Sequence, residues 1–257
     1  MKKLSILLGL MLSSFVFKAQ ENNTWRFGVQ LGLHGNKAKF VGGSPNANAR
    51  FHQNPFGAVG LNFNVRYDYN QRWAFTSGLG FNSIGFEFAI AENYSFLNMN
   101  KRYTTINSSV GLVEIPLLAI YKFKSNCNNW KWVASGGFVG VVYGKENIVK
   151  GYCESVDCTV GNSSTSYLRS TTTTNGGGNI HVRFLIGKEK LFKNGSIFNT
   201  SLIWNAGFGN MATSSVNYTI DGQSYQHQFN NNGNFFGFRF AYYLKPFKAS
   251  TTKAVKK

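Results

Sequence analysis

Chemistry at a protein site needs nucleophiles, titratable groups or metal ligands at defined spacings, and this chain offers few. Its four histidines, His34, His52, His181 and His227, show no HExxH spacing and no grouping with cysteines, so no metal site is expected. His34, His52 and His227 lie in or beside polar segments and are expected at the surface. A lipid hydrolase or acyltransferase would need a His with a Ser and a carboxylate. His181 and Ser201, on successive strands, are the only such pairing on offer, and no serine motif surrounds them. The run Asn175-Gly176-Gly177-Gly178-Asn179 lacks the Lys-Ser/Thr of a phosphate loop and reads as a flexible loop end. Cys153 and Cys158 share one polar segment and can close a local disulfide in an oxidising compartment; a zinc pair is the alternative, without a second ligand pair nearby. Cys127 is left over as a thiol without a role. No catalytic, cofactor-binding or metal-binding residue is assigned, and no cofactor is implied.

The elements that must carry these residues are strands. From Gly57 to Phe81 the chain alternates: Val59, Leu61, Phe63, Val65, Tyr67 and Tyr69 on one face, with Gly60, Asn62, Asn64, Arg66 and Asp68 on the other. A turn at Asn70-Gln71 follows, then Trp73, Phe75, Leu79 and Phe81 alternate with small and polar residues. Period two is the signature of a strand, so this is a hairpin with one apolar face. The same rhythm marks strands at Trp25–His34, about Thr105–Phe123, Trp130–Tyr143, Asn179–Gly187, Ser196–Phe208 and Asn234–Leu244. Near Ser83–Gly85 the apolar phase reverses, which predicts either a bulge at Gly85 or the end of the membrane-facing part. Polar stretches at 35–56, about 91–103, 144–178 and 209–233 read as long loops, and they alternate with three short turns.

Composition narrows the class. Charged residues are 14%, aromatic residues 16%, and 28 Gly stand against 4 Pro. Lys2 and Lys3, the apolar run Leu4–Phe17 and Lys18-Ala19-Gln20 read as a signal peptide over residues 1–20. Residues 21–247 are then an exported domain, and 248–257 a basic tail. No later stretch is apolar for long enough to cross a bilayer as a helix. The formal net charge of +17 suggests nucleic acid, but export and the lack of a basic-aromatic motif argue against such a partner. Most of the positive charge falls beside the short turns (Lys122, Lys124, Lys131, Lys188, Lys190, Lys193) and in the tail. That face is expected to meet anionic headgroups or peptidoglycan, or merely to keep turns soluble.

Eight strands with short turns on one side and long loops on the other predict an all-β, eight-stranded antiparallel up-and-down transmembrane β-barrel. Closure leaves no backbone edge unpaired in lipid. The second face carries Arg26, Asn62, Asn64, Arg66, Asp68, Glu114, Arg183 and Arg239, which predicts a plugged polar interior. Trp25, Tyr67, Tyr69, Trp73, Trp130 and Trp132 all lie beside the short turns or a terminus, as an interfacial girdle would. Glu114 shares its strand phase with Pro116 and points inward, where Arg26, Arg66, Arg183 or Arg239 must pair it. Pro116 itself marks a bulge or bend.

Val113-Glu114-Ile115-Pro116-Leu117-Leu118 resembles the LEIPLLL-type strand of the PorT-like outer-membrane β-barrel family, common in Bacteroidetes, and Phe27–Gly35 is similar to that family's first strand. The resemblance covers the mature chain in rhythm and these two stretches in residues. It implies an eight-stranded barrel in a Gram-negative outer membrane and no catalytic residues. The chain is read as a structural or binding protein acting through its long loops; an accessory role in an envelope secretion or transport complex and a lipid-modifying enzyme are the alternatives. Expected partners are outer-membrane lipids, with peptidoglycan or other envelope proteins as further candidates, around a monomer. The family usually ends on an aromatic residue, whereas Lys248–Lys257 follow Phe247 here.

Overall fold

A computed structural model describes residues 24–43, 51–91, 103–124, 130–153, 167–220 and 222–247. The signal-peptide reading, the basic tail, Cys127 and Cys158 lie outside them. The described residues form twelve antiparallel strands: β1 (Thr24–Asn36), β2 (Lys39–Gly43), β3 (Phe51–Asn54), β4 (Phe56–Asp68), β5 (Trp73–Ala91), β6 (Tyr103–Lys122), β7 (Trp130–Cys153), β8 (Tyr167–Leu191), β9 (Ile197–Gly207), β10 (Ala212–Ile220), β11 (Gln223–Asn231) and β12 (Phe235–Tyr243).

Eight of them close a ring. β1 pairs β4, then β5, β6, β7, β8, β9 and β12 follow in order, and β12 returns to β1. Around this ring the apolar residues point outward. Phe27, Val29, Leu31, Leu33, Val59, Leu61, Phe63, Leu79, Phe81, Ile115, Leu117, Phe138, Ile180, Phe184, Ile186, Trp204, Phe236 and Phe238 are all exposed. A continuous apolar belt of this kind is stable only against lipid. In β1 it spans Trp25 to Leu33, the nine residues of a tilted membrane-crossing strand.

The described parts of three of the long polar stretches, 35–56, 144–178 and 209–233, are largely strand. β7 and β8 run on together to Cys153 and Tyr167, and the upper part of β8 exchanges β9 for β10 as its neighbour. β10 and β11 form a hairpin within the stretch that reads as the last loop, β11 pairs β2, and β3 pairs the upper part of β5. A second storey of sheet thus stands on the membrane ring. Serine, threonine and asparagine mark these strands as polar, yet the alternation of period two persists beneath that composition, as in Val216, Tyr218 and Ile220 of β10, all inward.

The reversed phase at Ser83–Gly85 is explained by this second storey, and there is no bulge. The β5–β6 ladder keeps one register from Trp73↔Tyr121 to Ala91↔Tyr103. The strand keeps its orientation while the sequence changes which face is apolar. Leu79 and Phe81 point out to lipid, whereas Ile84, Phe86, Phe88 and Ile90 point into a buried core. Pro116 likewise causes no shift: β5–β6 pairing skips Ile115 and Pro116 and resumes in register.

β7 and β8 reach the same result by turning over. Ladder pairing skips Gly144 and Gly176, and inward residues change from odd numbers (His181, Arg183, Leu185) to even ones (Leu168, Ser170, Thr172) on β8. Gly176 and Gly177 have φ of 70° and 140°, values that residues with a Cβ rarely adopt. Thr174 spans the gap, its hydroxyl donating to Gly144 O at 2.5 Å and accepting from Glu146 N at 2.9 Å. The triple-glycine run is therefore the strand's crossing point, not a loop end.

The upper core is thin and filled. Phe51 stacks on Tyr218 at 4.5 Å, and Phe88 meets Phe229 at 5.0 Å. Ser108 of β6 reaches Thr172 of β8 at 2.7 Å, and Thr172 donates to Ser214 of β10 at 3.0 Å. His227 sits among Phe40, Phe51, Tyr218 and Phe229, buried rather than at the surface, with Nε2 2.9 Å from the Tyr218 hydroxyl. Burial lowers its pKa, holding the imidazole neutral. Below about pH 6.5 the unfolded chain takes up a proton that the folded storey refuses, so stability falls as pH drops toward the lowered folded pKa. Protease protection of β10–β11 is expected to decline over that window, and His227→Phe is expected to flatten the decline.

Candidate functional site: the polar lumen

The inward face of the membrane ring gathers charged residues from four strands, β1, β4, β6 and β8, into two clusters. The one nearest the short turns centres on Asp68, at the end of β4. Its carboxylate accepts from Arg26 Nε at 2.8 Å, from Arg66 Nη2 at 2.9 Å and from Lys122 Nζ at 3.1 Å. Arg66 also donates to Glu189 at 2.8 Å and lies 5.3 Å over the Tyr243 ring. Arg26 further donates to the Gly195 carbonyl. Lys122 and Glu189 are thus interior groups, although their places beside turns in the sequence suggest a surface. Each is buried, and Lys122 also donates to Asn70 O at 2.9 Å. Asn70 itself caps the tight turn, its Oδ1 accepting from Arg72 N and Trp73 N, both at 2.7 Å.

The second cluster lies toward the upper storey. Arg183 is the partner of Glu114, one Nη2 donating to both carboxylate oxygens at 2.9 Å. Asn82 donates to Glu114 at 3.0 Å, and Arg183 Nε donates to Asn205 at 2.9 Å. Asn205 in turn lies 2.8 Å from His181 Nδ1, while His181 Nε2 is 3.3 Å from Met211 Sδ. Phe235 and His34 cover this layer, their rings 4.2 Å apart, so His34 too is buried and not at the surface. Only His52, of the three expected there, is exposed.

Between the clusters lie Asn64, which donates to Gln30 at 3.0 Å, then Asn62 and Arg239. Arg239 is buried without an ion pair among the described residues. His181 and Ser201 are not brought together. His181 faces Gly207 and Ser201 faces Gly187 across the β8–β9 ladder, so six residues, about 20 Å of strand, separate them. Among the described residues no group of His, Cys, Asp and Glu could hold a metal ion. What these lumen side chains can do is pair and fill; their geometry presents no nucleophile beside a base.

The aromatic residues at the turn end meet in pairs, Trp25–Tyr67 and Trp73–Tyr121 across strands and Tyr67–Tyr69 along one. Trp25 lies 4.7 Å from Tyr67, Tyr67 lies 6.4 Å from Tyr69, and Trp73 lies 5.0 Å from Tyr121. Trp130 and Trp132 are exposed, with Lys190 Nζ 5.6 Å and Lys188 Nζ 4.6 Å from their respective rings. Cys153 ends β7, and its expected partner Cys158 is outside the described residues.

The family model described as outer membrane protein beta-barrel domain matches residues 18–197. No curated protein matches. Among solved structures, the chain is similar to the outer membrane protein OprG of Pseudomonas aeruginosa, with 9% identity, TM-score 0.37, and 87% of this chain and 95% of that one covered. A major outer membrane protein of Thermus thermophilus gives 11% identity, TM-score 0.38 and coverage of 87% and 99%. Outer Membrane Protein W of E. coli gives 10% identity, TM-score 0.28 and coverage of 84% and 96%.

Proposed function

The chain belongs to the outer membrane protein beta-barrel domain family, and from that membership we propose that it is a structural or binding protein of the outer membrane, not a channel or an enzyme. The observation that carries this reading is the filled interior of both storeys. Below, two charge clusters plug the lumen; above, aromatic rings and a hydroxyl chain cross it. Eight strands leave an interior that side chains can occupy fully. The upper storey faces outward from the cell as a rigid platform, and the ends of its strands present the binding surface. The basic turn face lies toward the periplasm, where Lys124, Lys188 and Lys193 are exposed to anionic headgroups.

The Val113–Leu118 stretch of β6 supports placement among PorT-like barrels, and with it a second reading as an accessory component of an envelope secretion or transport complex. The separation of His181 from Ser201 weighs against a lipid-modifying enzyme. Two measurements test the proposal. Purified protein in planar bilayers is expected to give no conductance steps of porin size; such steps would overturn the plugged reading. Crosslinking in intact cells is expected to recover partners through the upper storey. Recovery of large envelope machinery through the turn face instead would favour the accessory role.

A further inference from the structure

At the turn end of the ring strands the outward positions are mostly aromatic, Trp25, Tyr67, Trp73, Tyr121 and Tyr242 among them. Among the described residues, only β8 puts charge on that outward phase. Its lipid-facing side runs Phe184, Ile186, Lys188, Lys190, so two cations follow directly on the apolar belt. No carboxylate of the membrane ring shares this face, because Asp68, Glu114 and Glu189 are all buried in the lumen. Glu189 lies between the two lysines in sequence, yet both its oxygens accept from Arg66 on the other side of the wall.

The neighbours are arranged around the pair. Across the β7–β8 ladder Trp132 stands opposite Lys188 and Trp130 opposite Lys190; across the β8–β9 ladder the partners are Thr200 and Phe198. Lys188 Nζ lies 4.6 Å from the Trp132 ring centroid, and Lys190 Nζ lies 5.6 Å from that of Trp130 and 5.4 Å from that of Phe192. An aromatic face holds an ammonium in place but does not neutralise it, and leaves N–H donors to spare. The two lysines are two residues apart on one strand, about 7 Å, a span that flexible side chains close around one phosphodiester. Toward the membrane middle, Ile186 and Phe184 are 53% and 50% exposed and continue the same face.

We propose that the outer wall formed by β7, β8 and β9 seats one anionic phospholipid of the leaflet at the turn end, its phosphodiester between Lys188 and Lys190 and its acyl chains along Ile186 and Phe184. Two cations without a carboxylate on the same face select a headgroup of net negative charge, since the ammonium of a zwitterionic headgroup would meet only like charge there. That this is the periplasmic leaflet rests on the orientation given under the proposed function; the seat itself does not depend on it.

The test uses the protein purified from outer membranes and delipidated in a neutral detergent. Phosphatidylglycerol or phosphatidylethanolamine is added, and the complexes are resolved by native mass spectrometry. One phosphatidylglycerol is expected to stay bound at collision energies that strip phosphatidylethanolamine. Lys188→Gln with Lys190→Gln is expected to weaken that binding by roughly thirtyfold, the effect of two lysines at a charged lipid surface. Lys124→Gln with Lys193→Gln removes the same charge from the exposed turns and is expected to keep the bound lipid. A heat-modifiable gel shift verifies that each variant is folded. A phosphatidylglycerol with a photoreactive group beside its phosphate is expected to label β7, β8 or β9 of the unaltered protein, a readout that needs no variant. Equal retention of the two lipids, labelling elsewhere on the ring, equal losses in the two double variants, or a dimer that seals this face without lipid would each overturn the proposal. Porin-size conductance would overturn the plugged lumen and leave this seat standing, because it lies on the outer wall.

Discussion

Glu114→Ala is expected to destabilise the folded barrel by about 3–5 kcal/mol, because it leaves Arg183 charged and buried without its carboxylate. Both groups are almost fully enclosed, with side-chain exposures of 2% for Arg183 and 1% for Glu114. In the folded barrel almost no solvent reaches either group, and Asn205 offers Arg183 only a neutral acceptor. Asn82 would lose its acceptor as well. The urea midpoint of the gel shift measures the effect. Removing both charges together, as Glu114→Leu with Arg183→Met, is expected to recover most of the loss, since no unpaired ion remains. A single variant as stable as the parent would mean that the pair contributes nothing to the lumen.

Phe63→Arg is expected to cost about 2–4 kcal/mol in the assembled state, with the largest effect on insertion. Phe63 is 52% exposed on the outer face and lies between Val29 and Leu79 in the ladder, near the middle of the apolar belt. A guanidinium there must sit in hydrocarbon or reach for an interface. Asn64, the next residue, faces the lumen and is buried, so Asn64→Leu is a matched control on the other face. The proportion of heat-modifiable protein in outer-membrane fractions reports both. Normal assembly of Phe63→Arg would mean that the apolar face is not the lipid face.

Taken alone, the sequence determined the membrane ring. Alternation of period two separates the outward from the inward residues of each apolar run locally, without any knowledge of neighbours. A chain whose alternate residues are Val, Leu and Phe on one face and Asn, Arg and Asp on the other has few ways to satisfy both in lipid. Charge pairing was legible only in part: that Glu114 needed an arginine followed from burial, but which arginine did not. Arg183 is 69 residues away, and the ring's closure and stagger bring it across the lumen. Arg239, equally inward in the pattern, is left without an ion pair by the same geometry.

The tertiary structure alone decided what the polar stretches do. Segments rich in Ser, Thr, Asn and Gly carry weak intrinsic preferences, so pairing with β5, β7 and β8 makes strands of them. The exchange of β9 for β10 beside β8 is a non-local event that no window of residues encodes. Lys122 and Glu189 are interior because they keep the inward phase of β6 and β8 near the ends of those strands, and that phase outweighs the nearness of a turn. The phase reversal near Ser83–Gly85 is visible in the residues, but its meaning is not. Only the unbroken register of β5 with β6 shows that one straight strand passes from lipid, where its apolar side must face out, into water, where it must face in.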